Sequence, residues 1–275
     1  MSCIHMGEDS RWRNHRPRFP WHLRRIDEKM PGVDRKQFMR DVYSNYWMDA
    51  RDQKYGFMEY DKQLCEFLVE AVRPEGALLE VAIGTGYPIA DFLQKAGYSI
   101  HGIDISPALV ERCQELNPKI EAKVGDAENL DFEDEAFDAT YAFHSSWYFP
   151  DLTRVIDEML RVTRSGGLVM LDIQNRDNPA IAADFDHRTS QVRPGLVPRA
   201  NLHARNLAKV VLRRGNPNWH GVIYEVPTYP GMIYEHLAGR DFSVMGRREE
   251  DQALVKLDGA ESFPGYQRLV VAIRK

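Results

Sequence analysis

A glycine-rich segment near residue 84 has the composition of a ligand-binding turn. Gly84 and Gly86 follow the short apolar run 77–83 and precede a helical pattern. Glycine allows positive φ and lets a backbone approach a ligand closely, and free amides at a helix N-terminus suit a carboxylate or a phosphate. The pattern is weak by itself, because an ordinary tight strand-to-helix turn has the same composition.

A carboxylate follows at the end of the next predicted strand. Asp104 stands 20 residues after Gly84, where dinucleotide-binding folds use an acid to hold ribose hydroxyls. Ser106 is better placed to cap the following helix, which leaves Asp104 for a ligand. The glycine segment and Asp104 together indicate a cofactor that carries adenosine. A nicotinamide cofactor fits less well, because Ile89 occupies the third position of the Gly-x-Gly-x-x-Gly pattern.

Strand and helix patterns alternate through the centre of the chain and position these residues. The predicted strands are 77–83, 99–103, 120–124, 137–143 and 168–173, and the predicted helices are 58–72, 87–96, 106–116 and 151–162. This order predicts an α/β fold with a Rossmann-like doubly wound sheet, covered by helices on both faces. Strand candidates at 242–245 and 269–273 complete a sheet that we expect to be mostly parallel, with an antiparallel C-terminal strand.

The segments from residue 78 to residue 173 resemble, in order, the class I S-adenosylmethionine-dependent methyltransferases. The matching features are Glu80 with the loop Ala82-Ile-Gly84-Thr-Gly86, Asp104 in Gly-Ile-Asp-Ile-Ser, Gly125-Asp126-Ala127, Phe137-Asp138, and a helix that ends in a Gly166-Gly167 turn before the fifth strand. One departure is Ala82, which replaces the first glycine of the usual loop. We expect its methyl group to alter the loop geometry or weaken cofactor binding, without abolishing it.

The resemblance implies S-adenosyl-L-methionine as cofactor and S-adenosyl-L-homocysteine as product, with the methyl group passing to an O, N or C atom of a small-molecule acceptor such as a secondary metabolite. It assigns the loop amides of Gly84 and Gly86 to the methionine carboxylate and amine, with Glu80 supporting the loop. It assigns the ribose to Asp104, and it assigns the adenine to Ile105, Asp126 and Ala127. The alternatives left open are a non-catalytic subunit that binds the cofactor and an NAD-dependent oxidoreductase.

Residues after the fourth strand and near the N-terminus are candidates for the acceptor site. His144 follows that strand directly, and we expect it to act as a general base or to line the cofactor pocket. Candidate acceptor-binding residues are Ser145 and Trp147, together with the aromatic stripe Tyr43, Tyr46 and Trp47. Loop packing and a helix core are the alternative interpretations of these two groups.

The chain is expected to divide into an N-terminal arm with lid helices, 1–74, and a cofactor-binding domain, 75–275, whose insertion at about 175–240 completes a lid over the acceptor. Residues 1–40 carry ten Lys and Arg against five Asp and Glu. Six arginines lie between Arg11 and Arg25, and they predict either a solvated arm or a flap over an anionic or aromatic substrate.

Composition excludes several classes of protein. Of 275 residues, 43% are hydrophobic and 28% charged, which is typical of globular proteins. No apolar run approaches the roughly 18 residues of a membrane helix, and no secretory signal is recognisable. The net charge of −5 disfavours nucleic acid as a partner. Three dispersed cysteines and scattered histidines predict no disulfide and no metal site, so we expect a cytoplasmic protein, whose oligomeric state the sequence leaves open.

Overall fold

A computed structural model describes residues 35–40, 56–190, 204, 207 and 228–275. Several predictions fall outside these residues. They concern the arginine-rich arm and the aromatic stripe Tyr43, Tyr46 and Trp47.

The described chain alternates helices and strands in the predicted order. The helices are α1 (Arg35–Phe38), α2 (Glu59–Ala71), α3 (Ile89–Lys95), α4 (Pro107–Leu116), α5 (Leu152–Val162), α6 (Pro179–Ser190) and α7 (Pro230–His236). The strands are β1 (Ala77–Val81), β2 (Ser99–Asp104), β3 (Glu121–Val124), β4 (Phe137–Ala142), β5 (Thr163–Gln174), β6 (Asp241–Arg247), β7 (Leu254–Leu257) and β8 (Arg268–Arg274). Two short 3₁₀ helices lie at Ser146–Tyr148 and Ala260–Gly265.

These strands form one sheet in the order β3-β2-β1-β4-β5-β8-β6-β7. The first five are parallel to one another, so their carboxyl ends share one edge of the sheet. The strand order reverses direction at β1 and β4, and ligands of open α/β sheets bind in the crevice beside such a point. The α/β prediction is confirmed, and the candidate site residues lie beside this point.

The C-terminal part of the sheet is antiparallel. Strand β8 runs antiparallel to both β5 and β6, which confirms the predicted antiparallel C-terminal strand. Strand β7, antiparallel to β6 at the sheet edge, was not predicted, because its four residues include Lys256 and give too short an apolar pattern.

The fifth strand begins earlier than its apolar run indicates. Thr163 pairs with Phe137, and a register shift precedes the pairing of Leu168 with Ala139. Gly167 therefore lies inside an irregular strand, and the predicted helix-ending turn at this position is wrong. A Cβ on Gly167 would stand 2.7 Å from the Asp138 carbonyl oxygen, so the close approach of the two strands requires glycine here.

Helices cover both faces of the sheet. On one face α2 buries Leu64 and Leu68 in an apolar cluster with residues of β1 and β4, and on the other α5 buries Val155 and Met159. Burial of each such side chain contributes roughly 1.5–3 kcal/mol, so the two layers hold the strand ends in place. In the described part of the chain, every helix is too short or too polar to cross a bilayer.

Two described residues of the 175–240 insertion, Asn175 and Thr228, lie side by side. Asn175, directly after β5, forms a parallel bridge with Thr228, and the Arg176 amide donates to the Thr228 carbonyl at 3.0 Å. Helix α6 begins where the Asn178 side chain accepts the Ala180 amide at 3.0 Å, a typical N-cap. The insertion thus leaves the sheet at the carboxyl end of β5, returns beside that point at Thr228, and ends at the opposite edge, where β6 begins at Asp241.

Candidate functional site

A cavity opens at the carboxyl ends of β1, β2 and β4. Its wall includes most of the residues that the sequence assigned to the cofactor: Ala82, Gly84, Asp104, Ile105, Asp126 and Ala127. His144 and Ser145 also line it. Glu80 does not. It is 6% exposed and accepts a hydrogen bond from the Tyr141 hydroxyl at 3.1 Å, which fits its predicted support of the loop from below.

The glycine-rich loop contains one residue under backbone strain. Ala82 has φ +62°, in the left-handed region where an L-residue with a Cβ pays roughly 1–2 kcal/mol relative to the right-handed conformation. This conformation explains why a glycine suits this position, and Ala82 is itself part of the cavity wall.

Ala82→Gly is expected to raise the affinity for S-adenosylhomocysteine a few-fold. Glycine removes the left-handed strain and the methyl group, although it also adds ~0.4–1 kcal/mol of unfolded-state entropy, so stability should change little. Calorimetric titration and thermal unfolding measure both effects. Ala90→Gly is the matched control, because Ala90 is buried inside α3 and its replacement should cost about 1 kcal/mol of stability. Weaker binding by Ala82→Gly would show that the methyl group contacts the ligand favourably.

The two loop glycines differ in their surroundings. The Gly84 amide donates to Asp104 Oδ2 at 2.9 Å, and the Gly86 amide donates to the Ile83 carbonyl at 3.0 Å. Gly86 has φ +74°, and a Cβ there would lie 2.8 Å from Cys113 Sγ. Gly86 lies outside the cavity wall and its glycine serves the turn, so its contact with the methionine carboxylate stays a prediction.

Asp104 lies in the cavity wall at the end of β2. It is 7% exposed and also accepts the Ser106 amide at 2.9 Å. Burial raises the pKa of this carboxyl to about 6, although the amides of Ser106 and Gly84 act in the opposite direction. The Ser106 hydroxyl accepts the Leu109 amide at 3.3 Å, which confirms that Ser106 caps α4.

A lysine that sequence reasoning missed reaches Asp126. Lys36 Nζ lies 2.6 Å from Asp126 Oδ2 and 2.8 Å from Glu128 Oε2, and all three residues line the cavity. The predicted role of Asp126, to accept the adenine amine, would therefore be shared with an ammonium group. A single lysine in a charged N-terminal segment gave no sequence signal that pointed to this contact.

His144 is held by two buried aspartates. Its Nε2 lies 2.6 Å from Asp61 Oδ1, its backbone amide donates to Asp172 Oδ1 at 2.6 Å, and its Nδ1 lies 3.7 Å from Asp172 Oδ2. His144 has φ +55°, a conformation that is costly for a side chain of this size and that the Asp172 carboxylate stabilises. The prediction that His144 lines the pocket agrees with this placement.

The residues after His144 divide between cavity and core. Ser145 lines the cavity together with Tyr148. Trp147 is 4% exposed, lies outside the cavity wall, and stacks under the Arg268 guanidinium, whose carbon is 4.3 Å from the ring centroid. The structure packs this ring under Arg268, and a contact of Trp147 with the acceptor stays a prediction. The other acceptor candidates, Tyr43, Tyr46 and Trp47, lie outside the described residues.

Comparison with known families agrees with this geometry. A family model described as "Methyltransferase domain" matches residues 79–171, the segment from β1 to β5 that builds the cavity. Residues 79–171 thus form a methyltransferase domain, and this match supports the resemblance to the class I S-adenosylmethionine-dependent methyltransferases. The donor that this family implies is S-adenosyl-L-methionine.

Relatives in this family share the central segment of the chain. The methyltransferase GfsG of Streptomyces halstedii is 30% identical over 148 residues, which cover 50% of this chain and 53% of that protein. The 2-methyl-6-phytyl-1,4-hydroquinone methyltransferase of Synechocystis is 33% identical, over 42% of this chain and 38% of the relative. The alignments thus span about half or less of these curated relatives.

Solved methyltransferase structures share the fold over most of the chain. A methyltransferase from Thermotoga maritima, described as a possible histamine N-methyltransferase, has a TM-score of 0.55 and 16% identity, and covers 87% of this chain and 98% of its own. A methyltransferase from Mesorhizobium loti has a TM-score of 0.51 and 15% identity, with coverage of 78% and 98%. At these identities the likeness describes the fold.

Proposed function

We propose that this protein is an enzyme that transfers a methyl group from S-adenosyl-L-methionine to a small-molecule acceptor. The observation that carries the proposal is the wall of the cavity, where the ends of β1, β2 and β3 place a glycine turn and two carboxylates, Asp104 and Asp126. The named relatives act on small molecules such as a hydroquinone, which supports this acceptor class.

The residues of the cavity fit the proposed cofactor. A buried carboxylate at Asp104 suits vicinal hydroxyls, because a carboxylate accepts two hydrogen bonds. Ile105 follows it in the wall as an apolar surface for a flat ring. Ile89, the first residue of α3, is 2% exposed and fills the position where a nicotinamide site needs glycine, so the oxidoreductase alternative is less well supported.

The chemistry of transfer depends on alignment and on exclusion of water. When bound, S-adenosyl-L-methionine supplies a methyl group that its sulfonium already activates. The chain then has to hold the acceptor in line and remove its proton, and positioning of this kind can supply most of the rate. His144, at the cavity wall beside Ser145 and Tyr148, is the proposed general base for a hydroxyl or amine acceptor.

We further propose that the insertion closes over the acceptor. Two of its described residues, Asn175 and Thr228, pair at the carboxyl end of β5, on the same sheet edge as the cavity. The part of the insertion between these two residues starts and ends on this edge, and we propose that it shields the reaction from water and sets acceptor specificity.

The proposal predicts cofactor binding and methyl transfer. Calorimetric titration should detect S-adenosylhomocysteine binding, and labelled S-adenosylmethionine should transfer its methyl group to at least one member of a panel of hydroquinones, phenolic acids, amines, sterols and phospholipids. The absence of binding up to about millimolar concentration would refute the assignment, since such a ligand would gain less than ~4 kcal/mol. Tight binding without transfer to any acceptor class would favour the non-catalytic subunit.

A further inference from the structure

An unusual polar cluster lies behind the cavity wall. It contains Asp61 of α2, His144 after β4, Asp172 of β5 and Arg268 of β8. Asp61 and Asp172 are 1% and 0% exposed. A buried carboxylate destabilises the folded state unless hydrogen-bond donors or cations face it. Two such carboxylates in one place therefore indicate a specific role.

Asp61 connects the start of α2 with the imidazole of His144. Its Oδ2 accepts the Met58 amide at 3.1 Å, which caps α2, and its Oδ1 faces His144 Nε2 at 2.6 Å. An ionised carboxylate can only accept, so the hydrogen between these atoms belongs to Nε2. The contact is short, and charge-assisted hydrogen bonds are shorter than neutral ones.

The other ring nitrogen has different surroundings. Among the described residues, none forms a hydrogen bond with Nδ1. Asp172 Oδ2, at 3.7 Å, is too distant for one, although it is close enough to stabilise a positive charge on the ring. That oxygen is itself held by Arg268 Nη1 at 3.1 Å. With Nε2 protonated, Nδ1 carries the lone pair of the neutral ring.

We propose that Asp61 is a positioning residue, which fixes the proton of His144 on Nε2 and thereby leaves Nδ1 to receive the proton of the acceptor. This inference rests on the proposed function. In that step the acceptor X–H bond breaks, an N–H bond forms at Nδ1, and the electron pair stays on the acceptor atom. Asp172 stabilises the resulting imidazolium. Asp61 itself is not part of the cavity wall, so it acts through His144.

The test compares Asp61→Ala with the wild-type protein by ¹⁵N NMR of the His144 ring. The wild type should show the Nε2–H tautomer alone, and the variant, which has no acceptor for that proton, should show both tautomers. Asp61→Leu, which fills the site without an acceptor, is the second variant if alanine at this site impairs folding. A wild-type ring in the Nδ1–H form, or a tautomer unchanged in both variants, would overturn the proposal.

Activity and binding separate this inference from the proposed function. Asp61→Ala should bind S-adenosylhomocysteine as the wild type does, whereas kcat with any acceptor found should fall about 10- to 100-fold at unchanged KM, which is the range for losing an oriented base. If the wild type binds no S-adenosylhomocysteine, the proposed function fails, and the NMR result still decides the role of Asp61.

A buried aspartate at the other end of the sheet provides the control. Asp138, 4% exposed, accepts from Arg73 Nε at 2.8 Å and from the Ala77 amide at 2.8 Å. Asp138→Asn should lower stability without changing the His144 tautomer or kcat per folded molecule. A changed tautomer in this control would mean that general loosening of the fold, rather than the Asp61 contact, sets the ring.

Discussion

Asp104→Ala should weaken S-adenosylhomocysteine binding by roughly 1.5–3 kcal/mol, the usual cost of losing hydrogen bonds to a charged group. Asp104 lies in the cavity wall and is 7% exposed, so solvent would screen its contacts little. Calorimetric titration at neutral pH measures the change. Ser106→Ala is the control, because it removes the N-cap of α4 and should lower stability by ~1 kcal/mol without affecting affinity.

The same carboxylate should make binding depend on pH. Burial raises the Asp104 pKa to about 6, and only the ionised form accepts hydrogen bonds with both oxygens. Affinity should therefore fall about tenfold from neutral pH to about pH 5, because one unit below the pKa leaves ~10% ionised. The profile of Asp104→Ala should be flat. A flat wild-type profile, or unchanged affinity in the variant, would place the ribose elsewhere.

The contribution of Asp104 to folding stability should change with pH in the opposite direction to binding affinity. Its pKa is raised above the ordinary value of 3.8, so the folded state favours the neutral carboxyl. By linkage, this stabilising contribution is complete below the unfolded pKa and is lost as pH rises through about 6. A rise in pH that improves ligand binding therefore removes the contribution of Asp104 to folding stability. Such a trade-off is common for residues that serve a binding site.

Most of the fold was predictable because short sequence patterns determine most of its strands and helices. Apolar runs gave β1, β2, β4 and most of β5, and Ser106 marked the start of α4. Prediction failed where tertiary contacts decide the outcome. The strand pairing of Thr163 with Phe137 extends β5 across two glycines that locally indicate a turn, because cross-strand hydrogen bonds compensate for their low strand propensity.

The site was predictable where motif and strand end coincide, as at Asp104 and Asp126. The contact of Asp61 with His144 joins positions 83 residues apart, and no local sequence pattern predicts it. Asp172 did give a signal, as a lone carboxylate in the otherwise apolar run Leu-Val-Met-Leu-Asp-Ile. A charged residue inside a buried strand needs a partner, and this one holds the strained His144 backbone.

Asp172→Ala is expected to produce the largest loss of stability, about 3 kcal/mol, because breaking a buried ion pair leaves the remaining partners without compensation. The substitution removes the acceptor of the His144 amide, at 2.6 Å, and the counter-charge of Arg268, at 3.1 Å. Arg268 is 21% exposed, so hydration of its guanidinium offsets part of the loss of the ion pair. Urea unfolding at neutral pH measures the difference in the free energy of unfolding.

Two further variants separate the contributions to this loss. Asp172→Asn keeps an oxygen for the His144 amide and removes the charge, so it should destabilise less than alanine. Arg268→Met keeps an apolar side chain over Trp147, and combined with Asp172→Ala it should cost less than the sum of the single changes by about 1 kcal/mol or more, since the two residues are in contact. In our interpretation, the Asp172 carboxylate maintains the left-handed turn at His144 and, through this turn, the wall of the cavity. Additive effects of the two changes, or a loss below ~1 kcal/mol for Asp172→Ala, would contradict this interpretation.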